Sequence, residues 1–311
     1  MRFTFSISRR RYALIGALGL TGVAIHHYED SRDSRSGHGQ IVVVSIPSQS
    51  LGGSRACIIY LPPGYTDDQN STHRYPVMYL YSGSPGSQKD WFRHGHAAQV
   101  ADQLINAGTV RPLILVSPDG NGGAKRDSQF LDSYDGKAPV ERFLARDLLS
   151  YVDGHFRTAR SAKARGIIGY SAGAFGALNV GLHHPELFGT LVGIAGYYVA
   201  DIHEVTRPRI NHPMNNAPGF LRYNSPSVTI THVAGTNRPF VFLFESTVDG
   251  YYTLATRRFD SELTKLQVPH FTHLYVPPNA QARKAWPHSW SFTARVFRDN
   301  LGAISAHLQG A

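Results

Sequence analysis

The chain has 311 residues, of which 42% are hydrophobic and 17% are charged. Apolar side chains therefore suffice for a sizeable core, and this composition excludes a disordered or low-complexity chain. The net charge of +9 includes no Lys/Arg block after residue 40, so it argues only weakly for an anionic partner and does not predict nucleic-acid binding. The single cysteine, Cys57, excludes an intramolecular disulfide and a cysteine metal site.

Residues 1–27 have the parts of an export signal, with a basic start followed by an apolar run from Tyr12 to Ile25. This run is 14 residues long, too short at ~1.5 Å per residue to cross ~30 Å of hydrocarbon comfortably. Its arginines at Arg9–Arg11 are similar to a twin-arginine signal. An uncleaved N-terminal anchor and a basic start of a cytosolic protein remain alternatives.

Residues 28–40 are polar and predict a tether. With the preceding segment read as a signal or anchor, we expect the remaining chain, 41–311, to be exported: periplasmic, at the cell surface or secreted. Any membrane contact is then expected through the N-terminus only.

From residue 41 onward, short β-rich runs alternate with longer helical periods. The predicted strands are Ile41–Ile46, Arg55–Leu61, Pro76–Tyr81, Leu113–Ser117, Arg165–Gly169, Leu191–Ala195, Phe240–Glu245 and Phe271–Val276. The predicted helices are His96–Asn106, Val140–Phe156, Ser171–His184, Tyr252–Val268 and Trp290–Leu308. This alternation predicts one α/β domain with a mostly parallel central sheet and helices on both faces. Between Tyr197 and Arg238, prolines and asparagines predict an irregular insertion.

The candidate nucleophile is Ser171, in the G-x-S-x-G motif of residues 169–173. The motif alone is weak, but a buried-strand pattern precedes it and a helix of small residues comes after it. Such a strand-to-helix turn strains the serine backbone and needs small neighbours. The alternative is a glycine-rich packing turn with an incidental serine.

A serine hydroxyl needs a base, and in an α/β-hydrolase arrangement the acid and then the base follow the nucleophile along the chain. Asp249 comes just after the apolar run Phe240–Glu245 and is the predicted acid, with Glu245 as the alternative. If Glu245 is not the acid, we expect it to be a solvated charge at the end of the strand. His288 lies in a loop between the last strand and the last helix and is the predicted base. The pairs His94/His96 and His183/His184 lack a third metal ligand at suitable spacing, so no metal site is expected.

Backbone N–H groups of Ser84, after an early strand, and Ala172, after the nucleophile, are the predicted oxyanion donors. An ordinary Gly/Pro turn is the alternative for Ser84. Trp290, two residues after the base, is a predicted wall of the substrate pocket, with a core aromatic as the alternative.

The chain resembles the putative-esterase family of α/β-hydrolases, which includes esterase D, enterochelin esterases, feruloyl esterases and the mycobacterial mycolyltransferases. The matching segments follow the family order: IIYLPPGY (58–65), YPVMYLYSG (75–83), LILVSPDG (113–120), ERFLARDLLSYVDGHFRT (141–158), IIGYSAGAFGAL (167–178), HPELFG (184–189) and PHSW (287–290). The resemblance implies the α/β-hydrolase fold, Ser171 as nucleophile, His288 as base and an acid after the Phe240–Glu245 strand. Many relatives carry His-Gly where this chain has Ser82-Gly83, a change in the pocket wall.

These observations predict an exported serine esterase that hydrolyses carboxylic esters through an acyl-enzyme, without a cofactor. The expected partner is a small-molecule, glycan or lipid ester. An acyltransferase of mycolyltransferase type and a non-catalytic surface protein that binds glycan or matrix are the alternatives.

Overall fold

The computed structural model of the protein describes residues 37–121, 127–200, 218–233 and 238–309. The predicted export segment, 1–27, and residues 28–36 of the predicted tether lie outside these ranges. Gly39, near the end of the predicted tether, donates its backbone N–H to Asp102 Oδ1 at 2.7 Å. Within the described ranges, no helix combines the length and the apolar character that a membrane span requires.

Eight strands form a single sheet in the order β1-β2-β4-β3-β5-β6-β7-β8. Their bounds are β1 Gln40–Ser48, β2 Gly53–Leu61, β3 Val77–Tyr81, β4 Ile114–Pro118, β5 Arg165–Tyr170, β6 Thr190–Ile194, β7 Phe240–Ser246 and β8 His270–Tyr275. The pairs β1–β2 and β2–β4 are antiparallel and every other pair is parallel. All eight predicted strands are confirmed, and the carboxyl ends of β3, β5, β6 and β7 meet at one edge of the sheet.

Helices cover both faces of this sheet. Their bounds are α1 Asp90–Arg93, α2 Ala97–Asn106, α3 in three successive parts (Val140–Arg142, a π-helical Phe143–Leu148 and Leu149–His155), α4 Ala172–His183, α5 Pro218–Tyr223, α6 Pro226–Thr229, α7 Tyr251–Lys265, α8 Ala280–Ala285 and α9 Trp290–Ala306. Strand β3 divides its side chains between two hydrophobic clusters, since Tyr79 packs in one and Met78 and Leu80 in the other. Helices α3, α4 and α7 complete the first cluster, and α2 and α9 complete the second. The predicted two-sided α/β architecture is confirmed.

The irregular insertion predicted between Tyr197 and Arg238 also contains two short helices, α5 and α6. Helix α6 begins at a proline, Pro226, directly after its N-cap Ser225. Proline has no N–H to leave unpaired in the first helical turn, and its φ already suits a helix. A residue that the sequence suggests is a breaker therefore starts α6.

Candidate active site

Ser171 occupies a tight turn between β5 and α4. Its backbone angles are φ +56° and ψ −120°, a conformation that a residue with a side chain rarely adopts. The flanking glycines make the turn possible. A Cβ on Gly169 would lie 2.5 Å from the backbone nitrogen of Ala174, and one on Gly173 would lie 2.7 Å from the carbonyl oxygen of Ser82. The G-x-S-x-G spacing is thus a packing requirement of this elbow.

The structure brings Ser171, His288 and Asp249 together, although they are far apart in sequence. The imidazole Nε2 of His288 lies 2.7 Å from the Ser171 hydroxyl oxygen. On the other side of the ring, Nδ1 lies 3.3 Å from Asp249 Oδ2. The backbone N–H of His288 donates to the same carboxylate oxygen at 2.9 Å. With Nδ1 protonated toward the carboxylate, Nε2 is left to accept the proton of the serine.

Local structure holds the histidine in this position. His288 lies in the short loop between α8 and α9, with φ at +43°. The next residue, Ser289, is the N-cap of α9 and accepts the backbone N–H of Phe292 at 3.3 Å. The loop location expected for His288 agrees with the structure, while α8 was absent from the predicted elements.

Two tyrosine rings lie next to the imidazole of His288. Tyr252, in the first turn of α7, stacks on it with ring centroids 3.9 Å apart and an interplanar angle of 25°. Tyr170 lies on β5 with its centroid 5.3 Å from the imidazole, and burial raises the pKa of its phenol far above the usual value. Sequence reasoning missed Tyr252; its signal was its place at a helix start just three residues after Asp249.

Of the two carboxylates considered as the acid, Asp249 is the one that contacts His288. Glu245 lies at the end of β7 and is 0% exposed, whereas Asp249 is 8% exposed. One carboxylate oxygen of Glu245 accepts the backbone N–H of Ser246 at 2.7 Å. Burial, and next the charge of Asp249, raise the pKa of Glu245 to about 9. Glu245 is therefore a buried carboxyl group behind Asp249, and the alternative of a solvated strand-end charge is wrong.

The predicted oxyanion donors belong to the two segments that border Ser171. Ala172 is the first residue of α4 and is buried. Ser84 follows Gly83, and a Cβ on Gly83 would lie 3.2 Å from the Ser171 Cβ. The turn after β3 is closed by a hydrogen bond from Gly86 N–H to the carbonyl of Gly83 at 2.7 Å. The early loop thus packs directly against the nucleophile.

Trp290 packs beside the site as the first residue of α9. Its ring lies edge-to-face on the buried Trp91, with centroids 5.5 Å apart, and 5.0 Å from the ring of Tyr170. Trp290 itself is partly buried against the second hydrophobic cluster. It therefore supports the ring beside His288, and contact with a substrate stays a prediction.

A buried hydrogen-bonded group near the base includes residues of the segment after β4, which no sequence pattern assigned to the site. The hydroxyl of Tyr197 donates to Gln129 Oε1, and the amide of Gln129 donates to Asp127 Oδ1 at 2.5 Å. Tyr197 stacks on Phe175 of α4, and its centroid lies 6.4 Å from that of Tyr252. No local sequence pattern predicts that Gln129 lies near the site, since it belongs to an irregular segment and its φ is +54°.

The histidine pair His183/His184 binds a carboxylate instead of forming a metal cluster. His183 Nδ1 lies 2.8 Å and His184 Nε2 lies 3.2 Å from Glu141 Oε1. Burial raises the pKa of Glu141, but the hydrogen bonds from both histidines outweigh burial and lower that pKa to about 2. In the part of the chain that the structure describes, no group of three or more His, Cys, Asp or Glu residues could hold a metal ion.

Sequence comparison gives a family and several relatives. Residues 48–301 match the family described as "Putative esterase". An endo-1,4-beta-xylanase/feruloyl esterase of Xylanibacter ruminicola is 31% identical over 156 residues, which are 49% of this chain and 21% of that protein. An esterase of Mycobacterium tuberculosis is 25% identical over 292 residues, which are 85% of this chain and 58% of that protein. The chain thus spans less than two thirds of the length of the curated relatives it matches.

Solved structures share the fold at low sequence identity. A ferulic acid esterase superposes with a TM-score of 0.71 at 19% identity, covering 88% of this chain and 99% of the other. An S-formylglutathione hydrolase from Agrobacterium tumefaciens gives a TM-score of 0.71 at 18% identity, covering 88% of this chain and 97% of the other. These likenesses confirm the predicted α/β-hydrolase fold.

Proposed function

The chain belongs to the putative-esterase family of α/β-hydrolases, and from that premise we propose that it is an exported serine esterase that cleaves carboxylic esters. One observation carries the proposal: the His288 imidazole lies 2.7 Å from the Ser171 hydroxyl while Asp249 binds the opposite ring nitrogen. This is the arrangement that activates a serine as a nucleophile. The proposed domain is 41–311, with an export signal or anchor in 1–27 and a tether in 28–40.

Acylation begins when Ser171 Oγ attacks the ester carbonyl carbon and its proton moves to His288 Nε2. The carbonyl oxygen becomes an oxyanion, which the N–H groups of Ala172 and Ser84 stabilise; losing one such donor typically costs ~3 kcal/mol of transition-state stabilisation. When the carbonyl re-forms, the bond to the ester oxygen breaks. The departing alcohol takes the proton from His288, and the acyl group stays on Ser171.

Deacylation repeats these steps with water as the nucleophile. His288 takes a proton from water, the hydroxide adds to the acyl carbon, and the bond to Ser171 Oγ breaks. The serine regains its proton from His288, and the carboxylic acid is released. Asp249 stabilises the positive imidazole in both halves of the cycle without becoming protonated.

The start of α4 supports this chemistry electrostatically. Backbone N–H groups in the first turn of a helix have no intrahelical acceptor and carry partial positive charge. Ser171 is the N-cap of α4, so an oxyanion formed beside it faces these groups. The serine is 9% exposed and Asp249 is 8% exposed, and such partial exclusion of water strengthens the interaction.

The acyl group is proposed to lie beside Tyr252, the partly exposed ring that stacks on His288. One matched relative is named a feruloyl esterase and several matched structures are named ferulic acid esterases, and ferulic acid is a carboxylic acid with an aromatic ring. We therefore include a feruloyl ester beside a series of p-nitrophenyl esters from acetate to palmitate. The series sizes the acyl pocket, and the feruloyl ester tests the aromatic preference.

The test combines labelling with turnover. A fluorophosphonate should label the native protein, and Ser171→Ala should lose both the label and ester hydrolysis, by at least ~10⁴-fold in kcat. Ser150→Ala, which removes an exposed hydroxyl on the last part of α3, is the matched control and should behave as the native protein does. A native protein with neither labelling nor hydrolysis would contradict the proposal and favour a non-catalytic binding protein.

Product analysis separates hydrolase from acyltransferase. With a sugar such as trehalose added as acceptor, a hydrolase still releases free acid as its main product. Formation of the sugar ester in excess water would instead show that the acyl-enzyme prefers an alcohol. The step is the same in both cases, with the acceptor hydroxyl replacing water at the acyl carbon.

A further inference from the structure

Glu245 is a carboxyl group in an unusual place, at the end of a buried strand directly behind the proposed acid. It is 0% exposed, and the turn after β7 brings Asp249 back toward it, with Asp249 N–H donating to the carbonyl of Ser246 at 3.2 Å. An ionised carboxylate without a partner is strongly disfavoured in such surroundings. Across the described ranges, no Lys, Arg or His pairs with Glu245, although ion pairs are found elsewhere in them.

The surroundings of Glu245 offer one clear hydrogen-bond donor. Its Oε1 accepts the backbone N–H of Ser246 at 2.7 Å, while its Oε2 is buried and accepts no hydrogen bond. The carboxyl group of Asp249 and the hydroxyl of Thr256 both lie close to the Glu245 carboxyl group. Two carboxyl groups in contact away from water cannot both be ionised, so one of them holds a proton.

The hydrogen bonds decide which carboxyl group holds it. Asp249 Oδ2 accepts two N–H groups of His288, from the backbone at 2.9 Å and from Nδ1 at 3.3 Å. Glu245 accepts one neutral N–H only. Hydrogen bonds donated to a carboxylate favour its charged form, so Asp249 is the ionised partner. Glu245 is then the protonated one, and its remaining oxygen is a donor.

We propose that Glu245 is a positioning residue for the triad: it stays protonated and donates a hydrogen bond to Asp249, which fixes that carboxylate beneath His288. The inference rests on the proposed function, because it requires Asp249 to serve Ser171 through the imidazole. Glu245 itself touches neither the nucleophile nor the substrate. Its contribution is the orientation of the acid.

Ionisation of Glu245 would reverse the contact from attraction to repulsion. Burial, followed by the charge of Asp249, raises the pKa of Glu245 to about 9. Activity should therefore decline as the pH rises through that value. The other titratable groups that face Glu245 are the phenols of Tyr170 on β5 and Tyr198 after β6. Burial raises the pKa of both phenols far above the usual value, so they stay neutral over the same range. His288 pairs with Asp249.

The experiment compares two replacements of Glu245 with a matched control. Glu245→Gln keeps the shape, the acceptor for Ser246 and a donor for Asp249, but cannot ionise. Glu245→Met keeps the length and removes the donor. The control is Glu262→Gln on α7, an equivalent change at a partly buried glutamate whose pKa burial also raises, outside the contacts described for the site.

The readout is kcat/KM for ester hydrolysis from about pH 6 to about pH 10, with the Ser171→Ala protein as the blank for spontaneous hydrolysis. Native protein and the Glu262→Gln control should lose activity on the alkaline side with a midpoint near pH 9. Glu245→Gln should match native kcat/KM at neutral pH and lack this alkaline loss. Glu245→Met should lose about 100-fold at every pH, as expected for a catalytic group displaced by ~1 Å.

Two different failures are distinguishable. If the native protein takes no fluorophosphonate label, the proposed function itself fails. If the native protein is labelled and active but Glu245→Gln loses kcat/KM at alkaline pH as the native protein does, Glu245 does not position Asp249. Full activity of Glu245→Met would overturn the inference in the same way. Circular dichroism checks that each variant is folded, and Glu245→Gln decides the question even if Glu245→Met does not fold.

Discussion

Replacing Gly173 by alanine would place a methyl group between the start of α4 and the end of β3. The added Cβ would lie 2.7 Å from the carbonyl oxygen of Ser82 and closer still to that of Tyr81, while ordinary contact begins at 3.4 Å. At Ser82 the gap must therefore open by about 0.7 Å, and both clashing atoms belong to backbone that cannot rotate away. We expect a loss of ~1–3 kcal/mol in the free energy of unfolding, typical of overpacking.

The same displacement should also lower activity. Ser171 is only two residues away, and a shift of ~1 Å at a catalytic group can reduce the rate about 100-fold. Urea denaturation measures the first effect, and kcat/KM for ester hydrolysis measures the second.

Gly154→Ala is the matched control, because nothing lies within 4 Å of its added Cβ and the residue is in the last part of α3. This control should keep native activity and gain up to ~1 kcal/mol of stability. The packing explanation of the elbow would be refuted if Gly173→Ala kept native stability and activity, or if both alanine variants behaved alike.

Three other predictions concern the groups around the site and the core. Burial and the charge of Asp249 raise the pKa of Glu245 from 4.5 to about 9, so between these values only the unfolded state loses the proton. The free energy of unfolding should therefore fall with rising pH by up to ~1.4 kcal/mol per unit. In urea denaturation, Glu245→Gln should lack this fall in the free energy of unfolding with pH. The same pH dependence in the variant and the native protein would contradict the prediction. The pKa of Glu141 is instead lowered from 4.5 to about 2, so its stabilisation is present above pH 4.5 and disappears as the pH falls to about 2, a loss of up to ~3 kcal/mol. Glu141→Gln should lack this acid-dependent loss in denaturation curves; a native acid dependence in the variant would refute the assignment. Finally, Tyr252→Ala removes the ring stacked on His288 and should lower kcat/KM roughly 10-fold, as an aromatic pair of ~1.5 kcal/mol implies, while Tyr252→Phe stays near native; equal losses in both variants would assign the effect to the hydroxyl.

The sequence predicted the parts of the fold whose signals are local. Short buried runs such as β5 favour a strand by their length and their β-branched residues. The glycines around Ser171 mark a turn too tight for a residue with a Cβ. His288 was predicted from its place in a loop between the last strand and the last helix. Each of these features depends on neighbours within a few positions of the chain.

Features that depend on distant contacts could not be predicted in this way. Strand β7 is buried along nearly its whole length, so no alternation of polar and apolar residues tells where Glu245 points. The sequence allows Glu245 to be the acid or a solvated charge at the strand end. Only the packing of β7 beside Asp249 and α7 makes it a buried carboxyl group that keeps its proton. Gln129 lies in irregular chain with a left-handed φ, a conformation that no composition pattern predicts. Pro226 suggested interruption because proline both breaks and starts helices, and the residues after it decide between the two.

The most direct measurement of the central claim is the mass of the acyl-enzyme. The protein is mixed with p-nitrophenyl acetate, quenched in acid within the first turnovers, digested and analysed by mass spectrometry. We predict one acetyl group, on the peptide that contains Ser171, formed in native protein and greatly reduced in His288→Ala. Acetylation of a different residue, or turnover with no acylated serine, would contradict the account.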